Sequence, residues 1–94
     1  MSACVIGHIS VKDADKWAQY RAQVPATLAP WGAELLFRGL VNKVLAGPHA
    51  HTDTVVIRFP DAASVDGWYQ SAAYQALIPL RSEAADLVLV SFVD

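Results

Sequence analysis

The stretch AELLFRGLVNKVLAGPHAHTDTVVIRF, residues 33–59, decides the fold. Its first half, Ala33 to Ala46, reads as one long strand. Leu35, Phe37, Val41 and Leu45 share one parity and Leu36, Arg38, Leu40 and Val44 the other, the two-residue period of a pleated chain. Gly39 within it predicts a bulge or a close backbone approach. Gly47-Pro48 opens a polar connection through His49, His51 and Asp53. The alternation then resumes in Thr54 to Phe59, with Val55, Ile57 and Phe59 on one side and Thr54, Val56 and Arg58 on the other. The two runs form a hairpin.

Working outward, Cys4 to Val11 is β-branched and apolar on both parities, with Val5, Ile9 and Val11 on one side and Ile6 on the other, and reads as a strand. Asp13 stands where a helix N-cap belongs, and Trp17, Tyr20, Val24, Leu28 and Trp31 follow at spacings of three and four. Pro25 predicts a kink or a restart in this helix, and Pro30 followed by Gly32 closes it. Beyond the hairpin, Pro60-Asp61 starts a second helical region whose inner side is Val65, Trp68 and Tyr69 and which Gly67 weakens. Ser71 can cap a further turn carrying Tyr74, Leu77 and Ile78, and Pro79 fits as the first residue of a last segment through Arg81 and Ala85. Asp86 to Val93 closes the chain as a strand, again apolar on both sides.

The order β-α-β-β-α-β is that of the split βαβ, ferredoxin-like unit: an α+β fold with a four-stranded antiparallel sheet and both helices on one face. One unit is expected over residues 1–94, with the first and last strands central and side by side. Both of these strands offer apolar residues to each face, so the face without helices needs a cover. A second copy laid sheet to sheet supplies one, giving a homodimer with a barrel-like core. Composition agrees, since hydrophobic residues make up 54% of the 94 and charged residues only 17%, below the usual share of about a quarter.

The same composition excludes several function classes. Seven Lys and Arg against nine Asp and Glu give a net charge of −2 with no basic cluster, which argues against nucleic-acid binding. Apolar runs fall far short of the roughly 20 residues that span a bilayer, so no membrane is expected. The first residues lack the pattern of a secretory signal, and the single Cys4 cannot form an internal disulfide, so a cytoplasmic protein is expected. No P-loop, G-x-G-x-x-G or G-x-S-x-G occurs. His49-x-His51 supplies two metal ligands where a site needs more, and the expectation is a chain with neither metal nor cofactor.

The set Tyr20, Gly32, Arg38-Gly39, Gly47, Phe59-Pro60, Trp68, Ser71, Tyr74-Gln75 and Arg81 resembles the DUF1330 family, small proteins of unknown function within the dimeric α/β-barrel superfamily. The resemblance covers nearly the whole chain and is most specific from Phe59-Pro60-Asp61 to Arg81. Relatives in that superfamily include cofactor-free monooxygenases, muconolactone-type isomerases and haem-dependent enzymes. The resemblance therefore implies a fold and a cleft between sheet and helices, and no particular reaction.

Among the residues themselves, Arg38, Arg58 and Arg81 stand in or beside strongly apolar elements, where a guanidinium needs a partner. That partner is either an acid such as Glu34, Asp66, Glu83 or Asp86, or the anionic or carbonyl oxygen of a small ligand. The ligand reading assigns Arg38 or Arg81 to the oxygen and Tyr20, Trp68 and Tyr74 to the wall of the pocket. His8, mid-strand on an apolar element, is either a satisfied interface residue or, on the superfamily analogy, the proton acceptor of a cofactor-free isomerisation or oxygenation. The rival reading is a non-enzymatic structural or stress-related homodimer whose cleft is filled by its own side chains. A cavity of about 300 Å³ or more beside Arg38 or Arg81 separates the two.

Overall fold

Local signals set the ends of the helices. Asp13 accepts the Lys16 N–H at 3.0 Å and Asp61 the Ser64 N–H at 2.8 Å, each satisfying a donor that the first turn of a helix leaves free. Ser71 caps in both senses, donating its hydroxyl to Trp68 O at 2.6 Å and accepting the Tyr74 N–H at 3.2 Å. One helix ends there and the next begins. Pro79 sits in the first turn of the last helix, where its missing N–H costs nothing.

The computed structural model describes residues 1–94 in the order β1 (Ala3–Val11), α1 (Ala14–Leu28), β2 (Glu34–Leu40), β3 (Asp53–Phe59), α2 (Ala62–Gln70), α3 (Ala72–Gln75), α4 (Ile78–Ala84) and β4 (Ala85–Val93). A 3₁₀ turn, Ala29–Trp31, follows α1 and ends on Gly32, whose φ of 66° is a left-handed conformation that suits glycine. The antiparallel sheet runs β2-β3-β1-β4, and the helices pack on one face of it, the α+β ferredoxin-like arrangement. No helix is long and apolar enough to cross a membrane.

Three local expectations are corrected. Strand β4 does lie beside β1, but it is an edge: β3 takes the other side of β1, and β2 the far side of β3. Second, β2 stops at Leu40, because its partner β3 begins at Asp53; after the Val41 N–H bond to Thr52 O at 2.8 Å, no strand remains for residues 42–46 to pair with. Third, α1 passes through Pro25 without a break, its inner residues Tyr20 and Leu28 held in the core on either side.

Register places the side chains. Ala3, Val5, Gly7 and Ile9 of β1 face the helices, and Cys4, Ile6, His8 and Ser10 face away. In β2 the pairing slips by one residue: Leu35 pairs with Ile57 and Phe37 with Val56, leaving Leu36 as the extra residue of a bulge. Leu35 and Phe37 therefore point to opposite faces despite their shared parity, and Arg38 joins Leu35 on the helix face. The bulge precedes Gly39, and Gly39 meets the other expectation: a Cβ there would lie 2.7 Å from the Phe37 ring. On the open face, Phe37, Val56, Ile6 and Val90 form a row across all four strands.

The core lies between sheet and helices. Trp68, Tyr74 and Phe59 are its largest fully buried side chains, with Val5, Ile57, Val65 and Leu77 around them. Trp68 Nε1 donates to Thr27 Oγ1 at 3.0 Å, which in turn donates to Val24 O at 2.7 Å, so the indole is satisfied inside the layer. Gly67 lies under the Trp31 ring, and a Cβ there would run into Cζ3 of that ring. The glycine is a packing requirement in a helix that it weakens by propensity alone. Gly67→Ala should therefore destabilise by about 1–3 kcal/mol although alanine is the better helix former. Thermal unfolding should show a fall of several degrees, and a rise would refute the packing argument.

Candidate functional site

Tyr74 is placed by the Ser71 cap, which turns α3 so that its side chain enters the core with no exposed surface. Its ring packs on Trp68 at 4.3 Å between centroids, on Tyr69 at 5.4 Å, and edge-on to Tyr20 at 6.5 Å. The Tyr74 and Tyr20 hydroxyls are 2.7 Å apart, joining α3 to α1. From α4, Arg81 Nη1 donates to the Tyr74 hydroxyl at 3.0 Å and to that of Tyr69 at 3.4 Å.

These bonds leave donors over. Two phenolic protons share one O···O contact, so only one of them can be used in it; the other has no protein acceptor. Arg81 adds further N–H groups and no acceptor. Of the acids considered as partners, Glu83 is with Lys16 at 3.2 Å, Asp86 with Lys12 at 3.5 Å and Glu34 with Arg58 at 3.6 Å, and Asp66, which borders the same cavity, makes no ion pair. Arg81 has no carboxylate within 4.0 Å. Burial alone would make its proton easier to lose, but the hydrogen bonds to Tyr69 and Tyr74 outweigh this and raise its pKa. Tyr20 is moved far above the ordinary phenol value, first by burial and then by Tyr74.

Arg81 borders a cavity of about 460 Å³ between α2, α4 and the β1–β4 half of the sheet, whose other walls include Val5, Val65, Asp66, Tyr69 and Leu89. A narrower chamber of about 60 Å³ lies on the α1 side, lined among others by Trp17, Tyr20, Val55 and Arg38. Trp68, Leu87 and Leu89 are common to both. The Leu89 and Val55 side chains close over Gly7, where a Cβ would lie 2.9 Å from both Leu89 Cδ2 and Val55 Cγ1. Of the residues singled out in the sequence, Arg81 borders the larger cavity, Tyr20 and Arg38 the smaller chamber and Trp68 both, while Tyr74 lines neither and bonds to Arg81.

His8 is not among them. It faces the open side of the sheet, where its Nδ1 is 3.0 Å from Thr54 Oγ1 and its ring meets that of His49 edge-on at 5.0 Å. With the Thr54 hydroxyl donating to Gly7 O at 2.9 Å, Nδ1 is left as the donor in its contact with Thr54. The sheet itself separates that nitrogen from the cleft. His51 is bound to Ser10, and no three His, Cys, Asp or Glu residues are grouped to hold a metal ion. Arg58 takes the structural alternative, pairing with Glu34 at 3.6 Å across the strands. Sequence reading overlooked Tyr69, whose hydroxyl joins the Arg81 contacts, and Arg21, which borders the small chamber; the Tyr69 signal was its position next to Trp68, on the helix edge facing α4.

The family model for a domain of unknown function, DUF1330, matches residues 2–93. The chain belongs to the DUF1330 family. Solved structures share its fold at low identity. A DUF1330 chain of this shape is similar to the RPA0582 protein of unknown function from Rhodopseudomonas palustris, at 14% identity and a TM-score of 0.82 over 97% of this chain and 80% of that one. It is similar to a dimeric ferredoxin-like protein of unknown function from Jannaschia sp. CCS1, at 10% identity and 0.80 over the whole of both chains. SnoaB, a cofactor-independent oxygenase from Streptomyces nogalater, matches at 7% identity and 0.72 over 99% of this chain and 92% of that one. No curated protein matches this DUF1330 sequence.

The cluster carries its own test. Tyr74→Phe removes the oxygen that serves both Arg81 and Tyr20 and strands a buried phenol, so it should cost about 1–3 kcal/mol in a denaturant titration. Tyr20→Phe leaves Tyr74 with Arg81 and should cost less. Because the folded state raises the Tyr20 pKa, the stability tied to that proton is full below the ordinary phenol value near 10 and falls as pH rises above it. Tyr20→Phe should therefore flatten the alkaline loss of stability; an unchanged alkaline profile would contradict the assignment.

Proposed function

We propose that the protein binds a small, mostly apolar organic molecule that presents an anionic or carbonyl oxygen, in the cleft between sheet and helices. The observation that carries this reading is Arg81: a half-buried guanidinium at the wall of a 460 Å³ cavity, bonded only to phenol oxygens and free of any carboxylate. Arg81 holds the oxygen, Tyr74 positions Arg81, and Trp68 with Tyr20 forms the apolar partition towards Arg38. The volume exceeds the threshold that separates a binding cleft from a filled core, and so weighs against a purely structural dimer. No histidine borders the cleft, so its chemistry is that of binding and orienting rather than of proton transfer by His8. The likeness to SnoaB supports the fold on which a cofactor-free reaction could be built and assigns no residue to one.

The same proposal includes a homodimer through the open sheet face. The row Phe37, Val56, Ile6 and Val90 is bordered by Val88 and Phe92, and Phe37 is 57% exposed and Val90 40% exposed in the single chain. Two solved structures of similar fold are described as dimeric, the Jannaschia protein and one from Thermobifida fusca YX. With the sheets face to face, the helical side and its cleft stay accessible.

Two measurements follow. Arg81→Met keeps the stem packing and has no paired acid to strand, so its melting temperature should stay within a few degrees of the parent. A panel of small carboxylates followed by intrinsic tryptophan fluorescence should bind the parent and lose about tenfold or more in affinity to this variant. Unchanged affinity would remove Arg81 from the site. For the assembly, light scattering at micromolar concentration should give twice the chain mass, and Val90→Glu should shift it towards one chain with the fold intact. A parent protein that scatters as a monomer would refute the interface.

A further inference from the structure

The four arginines are not treated alike. Arg58, on the open face, is paired with Glu34. Arg21, Arg38 and Arg81 have no carboxylate within 4.0 Å, and all three border the helix–sheet cleft. Acids are not scarce in a chain with nine of them against seven basic residues. Most are engaged elsewhere, Asp13 and Asp61 on helix N-termini, Glu83 and Asp86 on lysines, Asp94 on Ser2, and the two that border the hollows, Asp66 and Asp53, form no ion pair with these arginines.

Arg21 and Arg38 reach one chamber from different elements. Arg21 follows buried Tyr20 on α1, and Arg38 is turned to the helix face by the extra residue Leu36 in β2. Burial, and after it the positive charge of Arg21, lowers the pKa of Arg38, as uncompensated neighbouring cations require. Asp53 is the one acid on the chamber wall; it accepts the Thr52 hydroxyl at 2.6 Å and pairs with neither arginine. Arg38 also borders a second hollow, of about 190 Å³, between α1 and β2, whose walls include Val24, Pro25, Leu28 and Leu35. One guanidinium thus stands where a small apolar chamber and a larger apolar groove meet, with a second guanidinium beside it.

We propose that Arg21 and Arg38 form a carboxylate clamp and that the α1–β2 groove takes the aliphatic chain of the same molecule, making this a site for an aliphatic monocarboxylate separate from Arg81. Planar guanidinium forks match the two oxygens of a carboxylate, and Arg21 and Arg38, which share the wall of the small chamber, let both oxygens be held where Arg38 meets the groove, while the chain lies on the apolar walls of the groove. The proposal extends the cleft reading above, since it makes a second point of that cleft the recognition element.

Octanoate, octan-1-ol and inorganic phosphate are the probes, titrated into the intact protein by calorimetry and by amide NMR shifts. Octanoate should bind saturably with shifts centred on α1 and β2. Octan-1-ol, with the chain but no charge, and phosphate, with charge but no chain, should each bind about tenfold more weakly or worse. Arg21→Met and Arg38→Met should each weaken octanoate by about tenfold at the site that the α1 and β2 shifts report. Arg21 and Arg38 are both exposed residues, and an unchanged melt confirms that the variants fold. Octan-1-ol or phosphate binding as tightly as octanoate, indifference to Arg21→Met and Arg38→Met, or no saturation at millimolar octanoate would each overturn the clamp. Loss of octanoate binding only in Arg81→Met would overturn it while leaving the Arg81 cavity as the binding site.

Discussion

The hydroxyl of Tyr74 is the point on which the helical layer depends. Through it α3 meets α1 by way of Tyr20 and α4 by way of Arg81, while the ring beneath it packs on Trp68 of α2. Four helical segments, of which α3 is a single turn, could not hold their mutual positions by backbone hydrogen bonds alone; a short helix is marginal in water and takes its stability from packing. A phenol suits this position because its ring supplies apolar area and its oxygen takes bonds from two sides. The cost of the arrangement is a surplus of donors in a half-buried place, and the cleft opens where that surplus lies. The packing of the helical layer and the proposed binding therefore rest on the same residue.

What could be read from the sequence was whatever is decided within a few residues. Asp13, Asp61 and Ser71 were legible as caps because a cap bonds to a backbone group three positions on, and Pro79 as a first-turn residue because its own ring sets the requirement. The hairpin and the order of elements followed from period and turn residues. Leu36 was not legible as a bulge, because a bulge is a property of the pairing between β2 and β3 and leaves no mark on either strand alone. Its effect reaches the site: without it, parity puts Arg38 on the face opposite to Leu35, and only the slipped register brings that guanidinium to the helix side.

The candidate site was legible in part for the same reason. Arg81, Tyr74, Tyr20 and Trp68 could be gathered because each sits on the apolar side of a helix, and helical period tells which side faces the sheet. His8 could not be placed by the apolar pattern, since β1 is apolar on both faces and alternation then distinguishes neither. The choice for Arg81 between an acid and a ligand also lay beyond the sequence, because Glu83 and Asp86 were near in number and it is the lysines of β1's end and α1 that claim them.

Strand β1 carries Gly7, on the helix face under Leu89 and Val55, next to His8, a residue of the surface opposite. One sheet thickness and one residue separate what the two faces demand. The even-numbered positions of β1 from Cys4 to Ser10 lie on the open side, the face of the proposed dimer, and the odd-numbered ones from Ala3 to Ile9 lie on the helix side, the face of the proposed cleft. Solved structures superimpose on this chain across nearly its full length at identities of 7–15%, so the same backbone arrangement is reached with largely different residues on both faces of the sheet.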